Sequence, residues 1–188
     1  MMHLTTLRSN AIGILVLSLL TSMSISSYAL EEDRKQPIEL SADQAKFDDI
    51  SQEYILIGNA KITKGSLVIH GDKAIVIIDP EGFQKITVSS KVGELADFSQ
   101  KIDGPFQETT EGHGEFIFYD GKEQTLLIKG QASAKKHQGP RWRDKLDADE
   151  ISYNMDTERY LAISSSHVPL VKTVIAPKRQ EPIKLENK

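Results

Sequence analysis

Acidic side chains are the residues of this sequence that come nearest to a catalytic pattern. Asp43, Asp72 and Asp149 recur in similar phrases and offer three carboxyl groups. Two carboxyl groups that face each other across a sugar-sized cleft, one of them with a raised pKa, can hydrolyse a glycosidic bond. An Asp that a repeat places at a corner is more often structural, because it accepts backbone N–H bonds in an Asx turn. We expect the structural role and keep a hydrolase of envelope polysaccharide as the alternative.

Histidine and serine form no recognisable catalytic or metal-binding pattern. His113 and Glu115 make a bare HxE phrase, and no histidine pair has ligand spacing such as HExxH. No GxSxG nucleophile elbow is present. The chain has no cysteine, which excludes thiol catalysis and cysteine metal ligands. We therefore expect no catalytic residue, no metal and no cofactor.

A small residue followed by Asp or His recurs at the start of apolar or alternating segments. Such a repeated corner is typical of a β-structure built from one supersecondary unit. Gly58-Asn59-Ala60 also returns as Gly130-Gln131-Ala132, so the second half of the chain replays the first. The copies of the corner phrase are Leu40–Ala45, Ile69–Ala74 and Leu146–Ile151, with a weaker copy at Thr110–Glu115.

The elements that position these corners are predicted to be short strands. Alternating apolar residues and frequent turn signals, without a sustained 3.6-residue period, indicate an all-β roll, sandwich or barrel. The longest connection is expected at Gln100–Thr110, and about five extra residues in the second half are expected near His137–Trp142. Strands are predicted at Lys85–Ser89, Val92–Phe98, Tyr160–Ser164 and Val168–Ile175.

The ends of the chain are expected to lie outside the folded domain. Arg8 precedes the apolar run Ala11–Leu20, and Ser27-Tyr28-Ala29 supplies small residues for cleavage after Ala29, the pattern of a secretory signal peptide. The run is shorter than the roughly 20 apolar residues of a membrane span. We predict a cleavable signal at 1–29, a flexible segment at 30–36, one domain at 37–176 and a disordered tail at 177–188.

The charge argues against nucleic-acid binding, and the apolar content leaves two explanations open. The 23 basic and 27 acidic residues give a formal net charge of −4, whereas nucleic-acid binders need a basic field. Ile75–Ile78 and Phe116–Tyr119 have apolar residues in succession rather than in alternation. They are explained either by an ordinary sandwich core or by an interior groove that holds acyl chains.

Several of these phrases together resemble the OstA-like domain family of lipopolysaccharide-transport proteins. The resemblance covers about Gln36–Ile175, and it rests on order and spacing rather than on any one motif. The matching phrases are Pro37–Gln44, Gly58-Asn59-Ala60, Gly71–Ala74, Glu111-Gly112-His113, Gly130-Gln131-Ala132 and Ala148–Ile151.

The resemblance implies a β-jellyroll of antiparallel strands, opened into a V-shaped trough with an apolar interior. It further implies a periplasmic protein that binds lipopolysaccharide through its lipid A chains, with no catalysis. Copies are expected to stack end to end into a bridge between LptC at the inner membrane and LptD at the outer membrane. The unpaired edges of an open roll would serve this β-augmentation.

The expected lipid-binding residues come from two sources. Ile38 and Leu40 match the N-terminal strand that faces lipid in the family, and Phe98 and Ile117 fall at matching interior positions. Alternation within the chain adds three more candidates, which are Leu67, Ile69 and Val76. A β-scaffold with a dry, filled core is a third reading, and it predicts that no amphiphile binds.

Overall fold

The computed structural model of the chain describes residues 33, 35–102, 108–165 and 169–177. The predicted signal peptide and residues 178–188 of the predicted tail lie outside the described residues. Twelve strands form within them, all paired antiparallel: β1 Ile38–Ser41, β2 Gln44–Asp48, β3 Glu53–Lys64, β4 Leu67–Ile78, β5 Gln84–Ser89, β6 Ala96–Ile102, β7 Glu108–Gly114, β8 Phe116–Asp120, β9 Thr125–Gln138, β10 Arg141–Asn154, β11 Arg159–Ile163 and β12 Lys172–Ile175. The prediction of an all-β antiparallel fold is confirmed.

Four long strands are shared between two sheets. One half of each of β3, β4, β9 and β10 pairs within sheet I, whose strand order is β2-β3-β4-β5-β8-β9-β10-β11. The other half pairs within sheet II, whose order is β1-β3-β4-β6-β7-β9-β10-β12. The two sheets, each eight strands wide, fold over one core as a β-jellyroll.

Two of the bends lie at the repeated Gly-Asn and Gly-Gln phrases. Gly58 and Asn59 both have positive φ, +78° and +47°, and Gly130 and Gln131 follow with +72° and +50°. The pairing register shifts between Ile57 and Ala60, as expected for a β-bulge. The repeat therefore encodes the points at which a strand leaves one sheet and enters the other.

Acidic side chains hold these bends from a neighbouring segment. The N–H of Asp43 donates to the carbonyl of Gly58 (2.8 Å), and the Asn59 amide donates to the Asp43 carboxylate (2.9 Å). Glu115 makes the equivalent bonds to Gly130 and Gln131, at 3.0 and 3.1 Å.

Asp72 accepts the N–H of Lys91 and also ion-pairs with its ammonium group. The expected structural role is therefore seen for Asp43 and Asp72. The expected Asx turn was wrong for both, because their partners come from distant residues in the sequence.

Several strand boundaries differ from the prediction. Val92, the predicted start of a strand, is fully exposed in a turn, and β6 begins at Ala96. The predicted connection Gln100–Thr110 is shorter, because β6 runs to Ile102 and β7 starts at Glu108. The extra residues near His137–Trp142 lengthen the β9–β10 hairpin, so they form strand rather than an inserted loop.

The core lies between the two sheets, on the inward faces of the strands that lie between the edge strands β1, β2, β11 and β12. Its largest fully buried side chains are Tyr153, Phe98, Leu56, Ile62, Ile69, Ile86, Ile117, Leu126, Ile128, Ile151, Met155 and Val76. None of the described residues belongs to a helix long and apolar enough to cross a membrane. Within the same residues, no group of three or more His, Asp or Glu side chains is placed to hold a metal ion.

Candidate functional site: the apolar interior and its two ends

The interior surface of each sheet consists of rows of side chains that run across all eight strands. Because directly paired residues point to the same face, the register of the ladders traces these rows from edge to edge. On sheet I one row is Ala45, Leu56, Ala74, Val88, Ile117, Ile128, Ile151 and Ala162. On sheet II one row is Leu40, Ile62, Ile69, Phe98, Gly112, Ala134, Leu146 and Thr173.

All seven predicted lipid-binding residues face this interior. Ile38 and Leu40 are half-buried on β1 and pack against the core, whereas Leu67, Ile69, Val76, Phe98 and Ile117 are buried within it. Sheet II brings Leu40, Ile69 and Phe98 into one row, and Val76 and Ile117 belong to sheet I. The five buried residues are covered by other core side chains, so a ligand reaches them only if the sheets move apart.

The β1/β2 end of the interior opens into an apolar cavity. This N-terminal mouth has a volume of about 410 Å³ and is lined by Leu40, Ala45, Phe47, Tyr54 and Leu56, among others. The Phe47 and Tyr54 rings stack with centroids 4.2 Å apart. Ligand pockets commonly enclose about 300–1,000 Å³, so the mouth is large enough for part of an apolar ligand.

The β11/β12 end carries a second cavity with a charged border. This C-terminal mouth, of about 270 Å³, is lined by Ala134, Leu146, Tyr160 and Ile175 and also by Lys136. Tyr160 stacks on Tyr153 with ring centroids 4.4 Å apart. An aromatic pair therefore stands at each end of the same interior.

An ion-pair cluster lies beside the C-terminal mouth. Lys136 Nζ is 2.9 Å from Glu108 Oε2 and 2.9 Å from Glu158 Oε2. Arg143 Nη1 is 4.0 Å from Glu108 Oε1. Burial alone would lower the pKa of Lys136, but hydrogen bonds to Glu108 and Glu158 outweigh it and raise the pKa overall. Lys136 is therefore a permanent cation that holds two carboxylates together.

The same mouth is bridged by a hydrogen bond between the two sheets. Tyr160 on β11 of sheet I lies 3.0 Å, oxygen to oxygen, from the Thr110 hydroxyl on β7 of sheet II. Burial raises the pKa of both Tyr160 and Tyr153, so both phenols stay neutral. A polar contact between the two sheets thus lies beside the C-terminal mouth, although both mouths are lined mainly by apolar side chains.

Among the described residues, the histidines and aspartates do not assemble a catalytic site. A hydrogen bond and ion pair from Lys91 lower the pKa of Asp72, the reverse of what a general acid requires. His70 and His137 contact Asp97 and Glu111 at 3.2 and 2.7 Å, on strand positions that do not face the interior. Both contacts join side chains of adjacent strands on the outer, polar face of the sheet.

Each end of the roll also presents two edge strands. Among the described strands, β1 and β2 pair with β3 alone, and β11 and β12 pair with β10 alone. Their other sides carry backbone N–H and C=O groups without a strand partner, which is the usual template for adding a strand from another chain.

Sequence reasoning missed the two aromatic pairs and the ion-pair cluster. Phe47–Tyr54 and Tyr153–Tyr160 face each other across neighbouring strands, so only the register reveals them. Lys136 and Glu108 are far apart in the sequence and look like ordinary charges. The alternation of Ala132, Ala134 and Lys136 in β9 was the available signal that Lys136 points inward.

Comparison with known proteins identifies relatives for nearly the whole described chain. Residues 39–159 match the model of a family described as LptA/(LptD N-terminal domain) LPS transport protein. The lipopolysaccharide export system protein LptA of Escherichia coli K12 is 26% identical over 167 residues, which cover 89% of this chain and 85% of the relative. LptH of Pseudomonas aeruginosa, named in the same way, is 28% identical over 165 residues, covering 84% and 89%.

A solved structure supports the same relationship. The crystal structure of LptH, described as the LptA-homologous periplasmic component of the lipopolysaccharide transport device of P. aeruginosa, superimposes with a TM-score of 0.66 at 26% identity. The match covers 77% of this chain and 99% of that one. The resemblance inferred from the corner phrases and their spacing is therefore confirmed.

Proposed function

The chain belongs to the LptA/(LptD N-terminal domain) LPS transport protein family, and on that premise we propose that it carries lipopolysaccharide across the periplasm. The lipid A acyl chains occupy the interior between the sheets, and the sugars remain in water. The observation that carries this proposal is the pair of apolar rows that cross the interior from one edge strand to the other. A lipid that moves along such rows remains shielded from water over the whole length of the domain.

The physical driving force for capture is the burial of acyl chains. Each CH₂ group removed from water contributes about 0.8 kcal/mol, so several chains together bind strongly. The N-terminal mouth offers the first contact, because its cavity is already present next to Leu40 and Phe47. Deeper entry requires the sheets to separate around buried residues such as Phe98 and Ile117. No step of this process requires a catalytic group or a cofactor.

End-to-end assembly is supported by the direction of the strands. Each sheet has eight strands that alternate in direction, so its first and last strands run oppositely. When a second copy follows in the same orientation, its β2 lies antiparallel to β11, and its β1 lies antiparallel to β12. Both ladders continue without a change of pattern, and the interior rows of the two copies join.

The proposed partners follow from the same edges. LptD is a natural partner because the matching family includes the LptD N-terminal domain, and a related domain presents related edges. By the family resemblance LptC supplies the corresponding contact at the inner membrane. We propose that β1 and β2 face LptC and that β11 and β12 face the next copy or LptD. Export to the periplasm is attributed to the signal peptide at 1–29.

Photo-crosslinking to lipopolysaccharide tests the binding proposal. A photoreactive residue replaces Leu40, which lines the N-terminal mouth, and in a matched variant it replaces Glu39. The two positions are adjacent on β1 but lie on opposite faces, and Glu39 is exposed. Purified lipopolysaccharide is added to the folded protein and the sample is irradiated. The expected result is an adduct from position 40 and little from position 39.

The other outcomes separate the alternatives. Equal labelling at both positions would mean nonspecific adsorption and would contradict interior binding. No adduct from either variant, with circular dichroism showing a native sheet, would favour the dry scaffold. Release of reducing sugar from envelope polysaccharide by the unmodified protein would instead support the hydrolase.

A further inference from the structure

The structure points to more than a general tendency to stack. We infer that two copies join in one register, in which Arg159 to Ile163 of one copy lie opposite Asp48 to Gln44 of the next. In the second sheet, Lys172 to Ile175 lie opposite Ser41 to Ile38. The inference rests on the proposed end-to-end assembly and adds which residues meet at the joint.

The lengths of the edge strands are matched in both sheets. β11 and β2 have five residues each, and β12 and β1 have four residues each. In the inferred register every residue of each edge strand has a partner, and none overhangs. This is the register in which each row of sheet I and sheet II continues across the joint unchanged.

Slips by one residue are excluded by the pleat. Tyr160 and Ala162 point into the interior, as do Phe47 and Ala45, because each belongs to an interior row. A slip by one residue would place these side chains opposite residues of the outer face. The apolar lining would then be interrupted at the joint, where a moving acyl chain must pass.

A slip by two residues leaves every side chain on its original face of the sheet, but it loses favourable pairs across the joint. In the inferred register Arg159 lies opposite Asp48, and Tyr160 lies opposite Phe47. A slip in one direction places Arg159 opposite Lys46, where two like charges are unfavourable. A slip in the other direction leaves Arg159 beyond the end of β2 and places Asp48 opposite Leu161.

The aromatic residues make the inferred joint continuous. Tyr153 and Tyr160 already stack at the end of one copy, and Phe47 and Tyr54 stack at the start of the next. When Tyr160 meets Phe47, the four rings form one ladder along the interior. Cross-strand aromatic pairs favour their own register, so the ladder both aligns the copies and extends the apolar path.

Disulfide trapping tests the register, because the natural chain has no cysteine. Four single-cysteine variants are made at outward-facing, exposed positions: Gln44→Cys, Lys46→Cys, Leu161→Cys and Ile163→Cys. Each β2 variant is mixed with each β11 variant under mild oxidation, which gives four combinations. Directly opposed residues have Cβ atoms about 4.5–5.5 Å apart and diagonal neighbours about 7–8 Å, whereas a disulfide needs about 3.5–4.5 Å.

The inferred register predicts crosslinked dimers for Lys46 with Leu161 and for Gln44 with Ile163. Both remaining combinations should stay at the background given by each variant oxidised alone. Strong crosslinking of Gln44 with Leu161, or of Lys46 with Ile163, would report a two-residue slip in one or the other direction and overturn the inference. The absence of crosslinks in all four mixtures would overturn it as well.

The photo-crosslinking experiment at position 40 distinguishes failure of the register from failure of the proposed function. Lipopolysaccharide capture at position 40 depends on the interior, and the four cysteines lie on the outer face. A slipped register with intact lipid capture would refute this inference alone. The absence of a lipopolysaccharide adduct from the folded position-40 variant would refute the function, whatever the disulfide pattern.

Charge reversal gives a second measurement on the joint. Arg159→Glu places a carboxylate opposite Asp48 and should weaken self-association about two- to five-fold in light scattering, as expected for an exposed pair. Arg141→Glu, at the exposed start of β10 and away from the edges, is the matched control and should change it little. An equal effect of both variants would contradict the proposed pairing.

Discussion

Lys136→Met tests whether the ion-pair cluster holds the C-terminal mouth together. The Lys136 side chain is 23% exposed and that of Glu108 is 15% exposed. Breaking a fully buried pair costs about 3–5 kcal/mol, whereas an exposed pair contributes about 0–1 kcal/mol. We expect a loss of about 2 kcal/mol in the free energy of unfolding, because Glu108 loses its 2.9 Å partner and keeps Arg143 at 4.0 Å.

The control is a second Lys–Glu ion pair with the same N–O distance but with more exposed side chains. Lys129 Nζ also lies 2.9 Å from a carboxylate, that of Glu150, but the two side chains are 45% and 31% exposed. Lys129→Met should therefore cost less than about 1 kcal/mol. The measurement is urea unfolding at neutral pH, monitored by circular dichroism. The free energies of unfolding of the two variants are compared provided that m, the dependence of this free energy on urea concentration, is the same for both.

A double-mutant cycle tests whether Lys136 acts through Glu108. If Lys136 acts through Glu108, then Glu108→Gln costs less in the Lys136→Met background than in the unmodified protein. Equal losses for Lys136→Met and Lys129→Met, together with an additive cycle, would refute the view that burial makes this cluster stabilising.

Two further predictions concern acid stability and the bends. Burial, with a contribution from Lys135, lowers the pKa of His113 below its usual 6.5. The unfolded chain therefore binds more protons than the folded one, and stability falls as pH drops below about 6.5. Between pH 7 and 5.5 the urea midpoint of His113→Gln should fall less than that of the unmodified protein, and equal falls would contradict this. Gly58→Ala should be destabilising by about 1–3 kcal/mol, and clearly more than Gly93→Ala, in thermal unfolding. Both glycines have positive φ, but a Cβ at Gly58 would overlap Asp43 whereas one at Gly93 meets nothing within 4 Å; a similar loss for both would show that the Asp43 contact is immaterial.

The sequence predicted the fold largely through its repeat. Gly58-Asn59 and Gly130-Gln131 each combine a positive-φ glycine with a residue that tolerates the same conformation. Glycine adopts positive φ in turns as well as in β-bulges, so the repetition of the phrase, rather than the phrase alone, indicated a repeated bend. The strand start at Val92 was wrong because alternation alone cannot show that Gly93, at φ +89°, belongs to a turn.

The sequence predicted the residues of the interior better than the contacts at its two ends. Apolar residues at alternate positions of a strand indicate the inward face, so Leu67, Ile69 and Val76 were identified without knowledge of the pairing. The Glu108–Lys136 and Thr110–Tyr160 contacts depend on which strands become neighbours and on how the two sheets face each other. That information resides in long-range pairing, and a single sequence does not display it.

Tyr160 links the C-terminal mouth to the proposed joint between copies. Both mouths are present as cavities lined mainly by apolar side chains. At the C-terminal mouth the Tyr160–Thr110 hydrogen bond also joins an edge strand of one sheet to a central strand of the other, so separation of the two sheets at this end would break it. Tyr160 also lies on β11, the strand that the next copy would pair with. Docking of that copy and separation of the sheets at this end would therefore both involve Tyr160.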